Sequence, residues 1–359
     1  MCWMTVTLLS MLFIRVPCMG YSIEELSESN IHQWEEFNNR SPEGTLFHSI
    51  RWKNILEETR KLQLRYYLIF EGQRVVGICP FVEQSMKKLF RGLNGIPRSD
   101  YNNIILDGII DPDHINEILS LFSKRYSYLF FDTYDPALPE RIEYDNIPNE
   151  AGSNMLLDLN HNSPEVIWKE ILSKDDRYKI TRFEKGGFVV QEITDGDAIE
   201  DFYKYYAENL NHIKGYVLPH ACFQKLLDIF SPDEVRVAVL TNNGLFAGGN
   251  LTMLDPARKI AYFTFLALNR NLPNKYSPTY YLSWEGINWA WENGYERVSF
   301  GRERPDNPRV RGKQKFGAER VPIHSRVVLL SKTASRLYQL RKTFQGGGQA
   351  DDPFPGQVS

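Results

Sequence analysis

Apolar residues recur along this chain in two ways, at helical three-and-four spacing in some segments and as short unbroken runs in others, and the order of these segments repeats. An amphipathic helix over Ser49–Glu58 precedes two apolar runs joined by a polar turn, Glu71–Arg74; a second over His220–Ile229 precedes two more runs, joined at Thr241–Gly244. A constant offset of 171 residues brings Trp34 onto Tyr205, Asn38 onto Asn209, Trp52 onto Phe223, Arg65 onto Arg236 and Gly77 onto Gly248. Further on the offset becomes 169, matching Ile118 to Ile287, Tyr126 to Tyr295, Phe131 to Phe300 and Pro136 to Pro305. Here both copies read helix then strand, Ile115–Lys124 into Tyr128–Asp132 and Tyr280–Asn293 into Arg297–Phe300. Each half therefore predicts helix, helix, hairpin, strand, helix, strand. The class is α/β (α+β in some schemes): a duplicated chain whose mixed sheets carry helices on their faces, with a cleft between the halves.

The expected boundaries are an N-terminal half over 21–160 and a C-terminal half over 161–330, with Pro139–Asn154 as the join. Residues 331–345 read as a basic helix, and 346–359 as a disordered Gly, Pro and Asp tail. Residues 1–20 hold an apolar stretch, Trp3–Ile14, too short to span a bilayer and without the basic flank of a signal peptide. We read them as a non-globular leader or mis-assigned start, with Met19 the true one.

Composition narrows the classes. Of 359 residues, 42% are apolar and 24% charged, which excludes global disorder and a polytopic membrane protein. A net charge of -3 argues against a DNA-binding protein with a uniformly basic surface, and membrane contact is expected to be peripheral at most. Cys2, Cys18, Cys79 and Cys222 are too far apart for a zinc site and read as reduced thiols of a cytoplasmic protein. Seven scattered histidines likewise predict no metal site. No G-x-S-x-G elbow, Walker loop, H-E-x-x-H or G-x-G-x-x-G occurs.

The candidate chemistry gathers late in the chain. Between Arg297 and Arg326 nine Lys and Arg residues face only Glu303, Asp306 and Glu319. The cluster begins where the strand ending at Phe300 is expected to stop, and strand ends of open sheets are where ligands sit, so an anionic ligand is expected there. Lys275, Tyr276 and Ser277 precede Pro278 in a well-formed helix start whose free N–H groups favour phosphate, although an ordinary cap has the same sequence. Arg98, Ser99, Asp100, Tyr101 and Asn102 form a polar cluster between apolar strands, either a binding loop or a turn. Arg182 lies with Lys174, Arg177, Lys179 and Lys185 on a basic helix.

The order of elements, the duplication and the text VSFGRERPDNPRVRGKQKFGAE at Val298–Glu319 resemble the Fem-type branch of the GNAT acyltransferase superfamily, which includes peptidoglycan-bridge aminoacyltransferases and BioF2-like acetyltransferase domains. FHSIRWKNIL from Phe47, SDYNNIILDG from Ser99, IWKEILSKDDRYKITRFEKGGFVV from Ile167 and KYSPTYYLSWEGINWAWENGY from Lys275 extend the resemblance over 21–330. It implies tandem GNAT-like domains that move an acyl or aminoacyl group from acyl-CoA (acetyl-CoA) or aminoacyl-tRNA to an amine. The acceptor is a small molecule, glycan or peptide, such as a cell-envelope or polysaccharide precursor. By the same resemblance, Lys315 or Lys313 stabilises the oxyanion, Asp100 and Tyr101 orient the acceptor, and Arg182, Arg302 and Arg304 bind substrate or phosphate. Arg270–Lys275 lacks the glycines of the usual pyrophosphate loop and no long coiled-coil arm is present, so both donors stay open. A second reading is a catalytically silent GNAT-fold protein that binds a phosphorylated or nucleic-acid ligand.

Overall fold

The computed structural model describes residues 20–86, 90–100, 104–107, 112–149, 152–194, 199–273, 275–304 and 306–344. The expected leader, the tail from 345 and Tyr101 lie outside the described residues.

The first half contributes strands β1 (Tyr21–Glu25), β2 (Leu64–Glu71), β3 (Arg74–Met86), β4 (Phe90–Asn94), β5 (Ile105–Leu106), β6 (Tyr128–Thr133), β7 (Asn146–Pro148) and β8 (Gly152–Asp158). Its helices are α1 (Ile31–Arg40), α2 (Ile50–Arg60) and α3 (Pro112–Ser123). A short helix α4 (Pro164–Val166), continued by a π-turn, and α5 (Lys174–Lys185) lead to the second set: β9 (Val189–Ile193), α6 (Glu200–His212), α7 (His220–Ile229), β10 (Val235–Asn242), β11 (Leu245–Asp255), β12 (Ile260–Leu268), α8 (Pro278–Glu292), β13 (Arg297–Glu303), α9 (Arg309–Gln314) and β14 (Glu319–Leu329). The basic helix α10 (Lys332–Phe344) follows. The repeated order is present, and the described strands join one mixed sheet in the order β1-β2-β3-β4-β6-β14-β8-β13-β12-β11-β10-β9, with β5 paired to β3 and β7 to β14 off that path.

At the centre of that order the halves exchange their last strands. β8, the last strand of the first half, pairs with β13; β14, the last of the second, pairs with β6 through His324–Leu329 and with β8 through Glu319–Ile323. Without the exchange, β6 and β13 would each end as an exposed apolar edge. The crossing is held by a buried ion pair. Arg302 of β13 donates to both carboxylate oxygens of fully buried Asp132 of β6, at 2.7 and 3.2 Å, and at 2.6 Å to Ser325 of β14, which in turn donates to Asp132.

Alternation along β2 sets the two layers. Tyr66, Leu68 and Phe70 face a core shared by α1, α2, α6 and α7, whereas Tyr67 and Ile69 face α3. The shared core runs through both halves, with Phe47 edge-on to Tyr262 at 5.1 Å. On the opposite face of the second half, α5 and α8 pack together. Ser173 caps α5, accepting from the Asp176 N–H at 3.2 Å and donating to its carboxylate at 2.6 Å. Lys315 and Lys179 reach the same carboxylate at 3.0 and 3.2 Å.

The expected strand end at Phe300 is corrected. β13 continues to Glu303, because Gly301, at φ 77°, forms a bulge that shifts the register against β8 between Ser299 and Arg302. Arg302 and Glu303 are thus strand residues.

Asp132→Ala leaves the Arg302 guanidinium largely buried without its counter-ion, and is expected to lower stability by about 3–5 kcal/mol in urea unfolding; an unchanged midpoint and slope would remove the pair's anchoring role. Asp176 gives an acid-limb prediction. Burial would raise its pKa, but the bonds from Ser173, Lys315 and Lys179 outweigh it and bring it from 3.8 down to about 2. The native state therefore gains when this group ionises; the gain is complete above 3.8 and drains as pH falls towards about 2. Acid titration of unfolding should show this loss in the parent and not in Asp176→Asn.

Candidate active site

Two neighbouring parallel strands that stay together for only three residues create the site. β12 and β13 pair from Ile260–Tyr262 to Arg297–Ser299 and then separate. Both bulge at that point: Thr264 is extra in the pairing of β12 with β11, and Phe300–Gly301 in that of β13 with β8. Each strand then follows its outer neighbour, so a cavity of about 630 Å³ opens between them. Phe263, Phe265 and Leu266 of β12 form one wall, Phe300–Glu303 the other, and Thr279, Tyr280 and Ser283 of α8 close one side. The first half supplies Phe47, Arg98, Ser99 and Asp100.

Asp100 is half-buried, its carboxyl enclosed by protein and accepting from the Ser299 hydroxyl. Burial raises its pKa above the usual 3.8, against the opposing pull of that hydrogen bond and of the Lys313 and Arg302 charges. Lys313, carried in by α9, donates to the Phe300 carbonyl and to Glu303 at 2.6 Å. Burial lowers the Lys313 pKa from 10.5, with Glu303 and then Asp100 resisting. The second Glu303 oxygen accepts from Asn307 at 2.5 Å. The same pocket thus contains a carboxyl made harder to ionise and an ammonium made easier to deprotonate, an arrangement suited to moving a proton.

Of the residues singled out in the sequence, the cavity brings together Asp100, Lys313 and Arg302. Arg302 forms wall more than binding group, since its guanidinium is held by Asp132 and Ser325. Lys315 is not among the lining residues and bonds Asp176 instead. Arg182 donates to the Lys275 carbonyl at 2.9 Å and to the Tyr178 hydroxyl at 2.5 Å, bracing the approach to α8. Tyr276 packs edge-on against Phe188 and tilted on Phe183, the Lys275 ammonium lies over the Tyr276 ring at 5.0 Å, and the Ser277 side chain makes no cap bond. Arg304 is exposed beyond the end of β13 and does not line the cavity. Sequence reasoning had Glu303 only as a counter-charge and Arg98 only as part of a binding loop or turn, and missed Ser299, Tyr262 and Arg270 as lining residues. A detectable signal for Glu303 was its place beside Gly301–Arg302, ten residues before Lys313.

Among the described residues no His, Cys, Asp and Glu cluster suits a metal ion, and no helix is long and apolar enough to cross a membrane.

No curated protein matches the chain significantly. Residues 172–313 match the model of the acetyltransferase (GNAT) domain family. The fold is similar to that of FemX, with TM-score 0.62 and 12% identity over 89% of this chain and 99% of that one. It is also similar to L-PGS from Bacillus licheniformis, with TM-score 0.57 and 15% identity over 89% and 97% of the two chains. A tandem GNAT protein from the clavulanic acid biosynthesis pathway superposes with TM-score 0.54 and 10% identity over 87% and 99%. The chain thus has the fold shared by FemX and a tandem GNAT protein, and residues 172–313 carry its match to the acetyltransferase (GNAT) domain family.

Proposed function

We propose that the protein transfers an acyl or aminoacyl group from acyl-CoA or aminoacyl-tRNA to an amine, with the half over 161–330 carrying the reaction and that over 21–160 completing the acceptor side. The observation that carries this reading is the divergence of β12 from β13 over a cavity holding Asp100 and Lys313. Separated strands leave backbone N–H and C=O groups without a strand partner, and these can align an extended donor chain.

In this reading Asp100 takes a proton from the acceptor's ammonium. The nitrogen lone pair then forms a bond to the acyl carbon, and the Lys313 ammonium stabilises the negative oxygen that develops. Collapse of the intermediate breaks the bond from carbon to sulfur in a thioester, or to oxygen in an aminoacyl ester. The nitrogen's second proton goes to the leaving group by way of Lys313 or Asp100. The cations around the cavity mouth offset donor phosphates. The likeness to FemX and L-PGS is one of fold and favours neither donor.

The test is release of free thiol or uncharged tRNA that depends on an added amine. Asp100→Asn is expected to lower kcat/KM about 100-fold. The acid limb of kcat/KM should lie above 3.8 and vanish in this variant. Lys313→Met is expected to lower kcat about 100-fold. Full activity in both variants, with native circular dichroism, would sink the assignment; donor binding without turnover in the parent would favour the silent binding protein.

A further inference from the structure

We propose that the acceptor is an amine that also bears an acidic group, a carboxylate or a phosphate, held by Arg98 and Arg270 at the α6 end of the cavity; this rests on the acyl-transfer reading of the same site.

The cations lining the cavity are Arg98, Arg270, Arg302, Arg309 and Lys313, of which Arg309 is exposed at the start of α9. Arg302 is neutralised by Asp132, and Lys313 by Glu303. Arg98 and Arg270 have no carboxylate partner among the described residues. Arg98 donates through Nη2 to the Tyr216 carbonyl at 3.2 Å, and its Nε is buried with no hydrogen-bond partner among the described residues. Arg270 donates through Nε to the Asn209 side chain at 3.0 Å, and its two terminal nitrogens meet no carboxylate among the described residues. A guanidinium nitrogen buried without a partner is unfavourable, so the Arg98 arrangement is completed by an anionic ligand, with the exposed Arg270 lining the same cavity.

Capping of α6 does not account for the pair. The last carbonyls of α6 already accept from the backbone, Asn209 from the Ile213 N–H, Leu210 from the Gly215 N–H at 2.8 Å and Asn211 from the Lys214 N–H at 3.1 Å. Arg98 is also held at φ 65°, a left-handed conformation that glycine or asparagine would adopt more cheaply.

Position fixes the class of ligand. Arg98 is two residues from Asp100, so at most about 7 Å of backbone separates them. An amine presented to Asp100 therefore has an acid group within reach of Arg98 only if a short chain links the two. The same cavity is lined by apolar, partly open surface: Tyr216, 40% exposed with the Arg60 guanidinium over its ring at 4.4 Å, and Ile213, 37% exposed. A short carbon chain ending in an acid would lie on that surface, with its acid gripped by two arginine forks.

The test uses binding without any donor, so that it does not depend on catalysis. Isothermal titration of the full chain with aminocaproate, phosphoethanolamine, hexylamine and ethanolamine is expected to show at least one of the two acid-bearing amines binding tenfold or more tighter than its neutral counterpart; whichever it is identifies carboxylate or phosphate. Arg270→Gln, an exposed change that leaves the core intact, and Arg98→Gln should each weaken that ligand about tenfold and leave the neutral amines unaffected. Equal affinity for acid-bearing and neutral amines, unchanged affinity in both variants, or no binding of any probe at millimolar concentration would overturn the proposal. Expected binding without turnover of either donor would leave this subsite standing and remove acyl transfer. Transfer to neutral amines that is indifferent to Arg270→Gln would do the reverse.

Discussion

The exchange of β8 and β14 between the halves, locked by the buried Arg302–Asp132–Ser325 cluster, is the constraint on which the rest of this structure depends. An arginine taken from water beside a fully buried carboxylate is tolerable only with its hydrogen bonds complete, and here three strands from both halves complete them. The cluster fixes how β6, β14 and β13 lie beside one another. Through β13 it also fixes the far edge of the cavity, since Arg302 follows the Gly301 bulge and precedes Glu303, the partner of Lys313.

The bulge links architecture to chemistry. Gly301 lets β13 remain with β8 while moving away from β12, and the matching extra residue at Thr264 does the same for β12 with β11. The opening is therefore built into strands held on their outer sides, and a ligand need not force it. Asp100 arrives from the first half on the loop after β4 and is anchored to Ser299 beside the bulge. Burial acts oppositely on Asp100 and Lys313, shifting both towards the neutral form, and their mutual attraction limits the shift.

The similarity to FemX, L-PGS and a tandem GNAT protein at 10–15% identity shows how little of this fold depends on particular side chains. What persists is the order of elements and the patterning of two-sided strands. The cavity walls differ in kind: their charged residues are few, and each has its own partner or lack of one.

The sequence by itself determined the element order, the duplication and the α/β class, because hydrophobic periodicity is local and the 171-residue offset repeats it. It also marked Asp100 and Lys313, polar residues set beside apolar runs. It did not separate Lys313 from Lys315, two residues apart on the chain: α9 turns one into the cavity, whereas the other meets Asp176. Nor did charge counting reveal that Arg302 is consumed by a carboxylate 170 residues away, or that Arg98 and Arg270 meet in one cavity. Such pairings are set by the strand exchange and the two bulges. The charge of a residue is a property of its type, but whether that charge is neutralised depends on what folding brings beside it.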